Sequence, residues 1–555
     1  MLLPYPSNIL TAFTILSSLQ LALAVQVTIS NGPIIGREAV TVNQNKTFYA
    51  FQGIPYASAP VGSLRFAAPV PPQDWTEPRN ATTNGSICLQ LQNNEVQGSE
   101  DCLFINVYTP KLDSTANLPV MAWIHGGYFM FGDSNYETYG PDYFIEQDDV
   151  VIVTFNYRLG IFGFLSTEDD AALGNWALKD QIMALQWVQT NIKLFGGDPG
   201  SITLFGQSAG SASVSYLCQT SKATGLFHRA ILESGSSLDL WSLARKPKET
   251  AFAVGSLLGL TAFRTSDLIS RLRQVDAVTL LTKSITQNLG QTLFTNPRDG
   301  LVFAPSTEPD VDEAVVVGKS HEKLSEGSFL QIPYMMGFTS QEAIALETFI
   351  NQLRIYLLTY DAFPRRLIPI DMNIIPVDVV TLAIVATSVK DHYLGFIPAV
   401  LSTTQITQYV TDDQFVRGIY EMARLMSARV PVYLYRFSYE GLLGNPSRNG
   451  PGVSHAEELN YLWRREDSLQ SPPEEDIVIR NKLVRLWINF AKFSNPTPEA
   501  DSLLDNAIWP VALSNNVSYF DIGANFQISS NFNNYSIPFW TSLYDRYGRP
   551  PYDTY

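Results

Sequence analysis

Five consecutive residues, Gly206-Gln207-Ser208-Ala209-Gly210, follow an apolar run and lead into a helical pattern. A serine between two glycines on a tight strand-to-helix turn is pushed out to meet substrate, because only small residues fit beside it. This is a nucleophile elbow, and the chemistry it serves is acyl transfer. Ala209 opens the helix, so its N–H stands at the positive end of the helix dipole, where an oxyanion would develop.

A serine nucleophile needs a base and a group that orients the base. The chain has five histidines, His125, His228, His321, His392 and His455. His125 begins His-Gly-Gly after the run Leu118 to Ile124, where an oxyanion-hole loop belongs, and its role reads as structural. His228 reads as a surface or packing residue, and His321 and His392 as members of solvated segments. His455, in Gly-Val-Ser-His-Ala-Glu-Glu, lies after Ser208 as the order serine, acid, histidine requires, and is the expected base. The acid must come from between them: Glu342 follows the run Ile332 to Gly337 and emerges at a strand end, with Glu347, one turn further along a helix, as its competitor.

These side chains need a rigid frame. Leu118 to Ile124, Val150 to Tyr157, Ile202 to Phe205, Arg229 to Leu232, Ile332 to Gly337 and Val430 to Phe437 are β-rich and apolar at nearly every position, as in strands covered on both faces. Between two of them Leu178, Ile182, Leu185, Val188, Ile192 and Phe195 recur at steps of three and four, one stripe along a helix of about four turns. Alternating strand and helix predicts an α/β domain with a large, mostly parallel central sheet and helices on both faces. Apolar helical segments between residues 340 and 420, including FINQLRIYLLTY and VVTLAIVATSV, predict a helical cap over one end of the sheet.

The chain has 555 residues, 37 Lys plus Arg against 53 Asp plus Glu, and a net charge of −16. An acidic chain with scattered basic residues lacks the phosphate-neutralising surface that nucleic acid requires. With 45% hydrophobic and 16% charged residues it is too apolar for disorder. No linker or repeat divides it, so residues 25–555 are expected to form one domain. Residues 1–24 end in an apolar run and the small-residue pattern Ala-Leu-Ala, which reads as a signal peptide cut near Ala24. No later segment reads as a membrane span, and the protein is expected to be secreted and extracellular. Sequons at Asn45, Asn80, Asn84, Asn516 and Asn534 are candidate glycosylation sites. In an oxidising compartment Cys88 and Cys102 would pair across 13 intervening residues, leaving Cys218 as a buried, inert thiol. Histidines and cysteines are too few and too dispersed for a metal site, no phosphate-cradling glycine loop is present, and no cofactor is expected.

On the stretch Phe195 to Gly210 and on Glu-Asp-Cys-Leu-Phe-Ile-Asn-Val-Tyr-Thr-Pro at 100–110, the chain resembles the type-B carboxylesterases, the cholinesterase-like branch of the α/β-hydrolases. The resemblance runs from about residue 26 to the C-terminus. It is greatest with secreted insect-type esterases, through 149–166, 174–186 and 225–236. It implies the α/β-hydrolase fold, Ser208, Glu342 and His455 as a catalytic triad, and an oxyanion hole at Gly126, Gly127, Tyr128 and Ala209. It further implies the Cys88–Cys102 disulfide, buried pairs Arg65–Glu100 and Arg158–Asp180, and a supporting role for Ser234.

Three departures bear on function. Tyr128 stands where many relatives carry Gly or Ala, and its side chain could crowd the hole or redirect the loop. Ala343 follows Glu342 where Gly is usual. Gln207 replaces the commoner Glu, a variant shared with insect juvenile hormone esterases. The Cys88–Cys102 loop has no aromatic residue, so a choline-binding platform is missing there. The expected activity is hydrolysis of small apolar esters through an acyl-enzyme. Juvenile hormone esterase is the narrower alternative, and a non-catalytic binding or adhesion protein on the same fold is the alternative from another class.

Overall fold

The computed structural model describes residues 24–92, 94–288, 300–347, 354–374, 378–448 and 450–555. The expected signal peptide therefore lies outside the described residues except for Ala24, and so do residues 349–353 of the cap segment.

One twisted sheet runs through the molecule. Its strands are β1 (Ala24–Ile29), β2 (Gly32–Val40), β3 (Thr47–Pro55), β4 (Phe104–Thr109), β5 (Leu118–Ile124), β6 (Val151–Phe155), β7 (Gly197–Gln207), β8 (Arg229–Glu233), β9 (Tyr334–Thr339), β10 (Val432–Phe437), β11 (Tyr519–Ile522) and β12 (Phe526–Ser529). They lie in the order β1-β2-β3-β4-β6-β5-β7-β8-β9-β10-β11-β12, and a two-residue strand at Arg79–Asn80 pairs with β2. From β6 to β11 every pairing is parallel, whereas β1 to β4, the β4–β6 pair and β12 are antiparallel.

The expected strands are all present, within a few residues at their ends. The antiparallel N-terminal strands go beyond the sequence reading. They are less uniformly apolar than the central strands: β1 alternates between exposed and partly covered positions, as an edge strand does.

The central strands are apolar at nearly every position because both faces are covered. Val120, Ala122 and Ile124 of β5 join one hydrophobic core, while Met121 and Trp123 join another on the opposite face. The principal helices are α1 (Trp176–Asn191), α2 (Ala209–Leu217), α3 (Arg354–Ala362), α4 (Val379–Tyr393), α5 (Thr403–Thr411), α6 (Arg417–Met426) and α7 (Glu474–Phe493). Val214 and Leu217 of α2 belong to the first core, and Leu483, Trp487 and Phe490 of α7 to the second. Helices α3 to α5 are the observed part of the predicted cap. A π-helical segment, Asp412–Val416, joins α5 to α6.

Helix α1 is buried well beyond its apolar stripe. Arg158 donates to both carboxylate oxygens of Asp180 (2.8 and 2.7 Å), Lys179 reaches Glu308 (2.7 Å), and Gln181 donates to Ser213 (3.1 Å). Polar residues can be buried here because each meets a partner distant in the sequence. Arg65 likewise clamps Glu100 and donates to the carbonyl of Val275. Cys88 and Cys102 form a disulfide, and Cys218 is a buried free thiol whose pKa burial pushes up to about 12.

Candidate active site

The chain turns sharply at the end of β7. Ser208 takes φ 56° and ψ −122°, a strained conformation for a residue with a side chain, and α2 begins at the next residue. A Cβ on Gly210 would stand 2.0 Å from the carbonyl oxygen of Ile124, so no larger residue fits there. The elbow is stitched to the neighbouring strand ends: Ser208 N–H donates to the carbonyl of Glu233, and Ser234 N–H to that of Gly337, each at 2.8 Å.

The acid and the imidazole come from the next two strand ends. Glu342 opens a short 3-10 segment after β9, is fully buried, and accepts the Thr339 N–H through Oε1 at 2.8 Å. Its Oε2 lies 2.6 Å from His455 Nδ1, and the His455 N–H donates to the Glu342 carbonyl at 3.2 Å. The His455 loop is held to the acid loop by Gln341 N–H on the Val453 carbonyl and by Val453 N–H on Ser340 Oγ, both 2.9 Å. Glu347, the competing acid, receives a hydrogen bond from Thr407 instead.

Ser208 and His455 line one cavity of about 610 Å³ together with Gly126, Gly127, Tyr128 and Gln207. Gly127, Tyr128 and Phe129 follow one another at φ 103°, 55° and 60°. A Cβ on Gly127 would meet the carbonyl oxygen of Phe131 at 1.9 Å, so this bend requires glycine. The Tyr128 ring is turned toward Phe131, with ring centroids 5.9 Å apart. Among the described residues no backbone hydrogen bond is donated by Gly127, Tyr128 or Ala209.

His125 braces this loop. Its Nδ1 lies 2.9 Å from the carbonyl oxygen of Gly126, its ring stacks on Tyr157 at 4.4 Å, and burial lowers its pKa to about 4, so it is neutral. The other histidines lie elsewhere. His228 Nδ1 accepts the Ile202 N–H. Of the two histidines expected in solvated segments, His392 is exposed, stacking on Phe539 at 4.0 Å and meeting Ser536, whereas the structure corrects the reading for His321, which is largely enclosed by Glu421, Tyr552 and Tyr555 because the C-terminal residues fold back over it.

Two contacts on the imidazole escaped the sequence reading. Phe415, projected by the π-helical segment, packs on the His455 ring at 4.9 Å. Gln207 brings its side-chain Nε2 to 3.1 Å from His455 Nε2. Behind the elbow, Ser234 Oγ and both carboxyl oxygens of Glu458 are buried without a protein partner, and burial raises the Glu458 pKa well above the ordinary carboxyl range. Among the described residues no cluster of His, Cys, Asp and Glu could hold a metal ion, and no helix is long and apolar enough to cross a membrane.

The family model described as "Carboxylesterase family" matches residues 24–540. Juvenile hormone esterase of Tribolium castaneum is 34% identical over 494 residues, 84% of this chain and 83% of its own length. Carboxylesterase 1D of Mus musculus is 32% identical over 543 residues, 92% of each chain. The crystal structure of juvenile hormone esterase from Manduca sexta with OTFP covalently attached superposes with a TM-score of 0.82 at 28% identity, covering 94% of this chain and all of that one. The chain belongs to the carboxylesterase family of α/β-hydrolases and is a carboxylic ester hydrolase.

Proposed function

We propose that the enzyme is a secreted serine carboxylesterase in which Ser208, His455 and Glu342 form the triad. The observation that carries this reading is the 2.6 Å contact between His455 Nδ1 and Glu342 Oε2 in a loop pair that presents the imidazole to the cavity of Ser208. With Nδ1–H donating to the carboxylate, Nε2 is the unprotonated nitrogen that takes the Ser208 proton as the hydroxyl attacks the ester carbonyl. The N–H groups of Gly127, Tyr128 and Ala209 stabilise the tetrahedral oxyanion, with Gly126 and His125 holding the loop. His455 then gives its proton to the leaving alcohol, and water repeats the cycle on the acyl-enzyme. Ser234 supports the elbow from behind.

On this reading residues 1–24 are removed on secretion and 25–555 act as one catalytic domain on small apolar esters. Hydrolysis of a short-chain nitrophenyl ester by the wild type and by Ser208→Ala tests it: turnover in the wild type and none in the folded variant supports it. A folded wild type without turnover favours the binding-protein alternative.

The narrower reading is juvenile hormone esterase, favoured by the similarity to the Tribolium and Manduca enzymes together with Gln207 in the elbow. A kcat/KM for juvenile hormone far above that for simple nitrophenyl esters supports it, and equal values oppose it.

A further inference from the structure

The side chain ahead of the nucleophile reaches the atom on which the mechanism turns. Gln207 closes β7, is almost fully buried, and its Nε2 lies 3.1 Å from His455 Nε2. An amide nitrogen only donates, so at this contact His455 Nε2 is the acceptor and the ring proton sits on Nδ1, facing Glu342. The amide thus occupies the lone pair that must take the serine proton. Among the described residues no hydrogen bond joins Ser208 to His455. Gly126 makes room for the amide: a Cβ there would stand 2.9 Å from Gln207 Oε1.

We propose that Gln207 is a positioning residue for the base, whose amide pairs with His455 Nε2 in both of its protonation states. At rest the N–H donates to Nε2. As substrate binds, the amide rotates about its terminal bond and frees the Nε2 lone pair for the Ser208 hydroxyl; once the Ser208 proton has moved to Nε2 and the serine oxygen has bonded to the acyl carbon, Oε1 faces the new Nε2–H. The proton then passes to the leaving alkoxide as the carbon–oxygen bond breaks, and the amide returns. A carboxylate at this position could only accept, and would favour the imidazolium.

The imidazole also meets Glu342 at Nδ1 and the ring of Phe415. Asp239, Glu458 and Tyr128 lie within electrostatic range of Glu342, with Glu233 beside Glu458. Burial holds Asp239 and Glu458 toward their neutral forms, so a charge placed at position 207 is not masked by theirs.

The inference rests on His455 being the base, and Ser208→Ala tests that separately: full turnover in that variant removes the triad itself. With the triad standing, kcat/KM is measured from pH 5 to 9 for the wild type and Gln207→Glu. The expected result is an acid limb displaced upward by about one pH unit or more in Gln207→Glu, as an added carboxylate stabilises the imidazolium. A profile that superimposes on the wild type overturns the inference. If melting shows that Gln207→Glu does not fold, the ¹⁵N signal of His455 Nε2 decides in labelled wild type and Gln207→Met. Loss of the donor shifts the signal downfield, and an unmoved signal overturns the inference.

Discussion

The indole N–H of Trp487 donates to Glu233 Oε1 at 2.7 Å, while the main-chain carbonyl of the same glutamate accepts the N–H of Ser208. A helix on one face of the sheet is thereby tied to the residue that anchors the elbow. The other carboxyl oxygen of Glu233 is buried without a protein partner, and burial raises the pKa from 4.5 to about 8.

That shift sets the sign of a pH effect. Below pH 4.5 the carboxyl is protonated in folded and unfolded chains alike, and its contribution to stability is complete. Between 4.5 and about 8 the unfolded chain releases the proton that the fold retains, so stability falls as pH rises, by at most about 1.4 kcal/mol per unit for one group. Asp412, also raised to about 8, adds in the same direction. Glu233→Gln keeps an acceptor for Trp487 and is expected to flatten the fall, measured as urea midpoints at pH 5 and pH 7.5.

Glu342→Gln preserves the shape of the acid while removing its charge. The imidazole then loses the group that fixes its tautomer and stabilises the imidazolium. The expected outcome is a fall in kcat on the order of 10³ to 10⁴-fold with KM little changed, read from steady-state kinetics.

The buried pair Arg158–Asp180, with side chains 3% and 0% exposed, supports the frame of the site. Asp180→Asn leaves a guanidinium buried without its counter-charge and is expected to cost about 3–5 kcal/mol, whereas Arg158→Met combined with Asp180→Asn recovers much of the loss. Chemical denaturation of the single and double variants checks both.

The sequons differ in environment. Asn45, Asn80, Asn516 and Asn534 are exposed, while Asn84 is half-buried, donates its amide to Glu137 at 2.6 Å and accepts from Gln52. Peptide mass spectrometry after enzymatic deglycosylation in heavy water is expected to find Asn84 unmodified and the other four carrying glycan.

The sheet was legible where burial leaves a local signature: β5 to β10 are apolar on both faces, and their runs of Val, Ile, Leu and Phe mark them. Ser208 was legible because the tightness of the turn imposes glycine at 206 and 210. Glu342 and His455 followed from chain order and from Glu342's place after β9. What escaped depends on side chains converging from distant elements. Gln207 sits beside Ser208 in sequence, yet nothing local says that its amide meets an imidazole 248 positions on. Phe415 reaches the same ring from the π-helical segment Asp412–Val416, which no local pattern announces. The enclosure of His321 escaped because Tyr552 and Tyr555, which cover it, come from the very end of the chain. In α1, nothing local marks Lys179 for burial until Glu308, 129 positions on, is set against it, whereas the buried pair Arg158–Asp180 was implied by the resemblance.

Stoichiometric titration with an organophosphate, followed by intact-mass and peptide analysis, tests whether Ser208 is the nucleophile. One phosphoryl adduct per chain is expected, located on Ser208, with ester turnover lost in proportion and no adduct on Ser208→Ala. Ester turnover that survives full labelling, or an adduct carried by another residue in the folded enzyme, would contradict it.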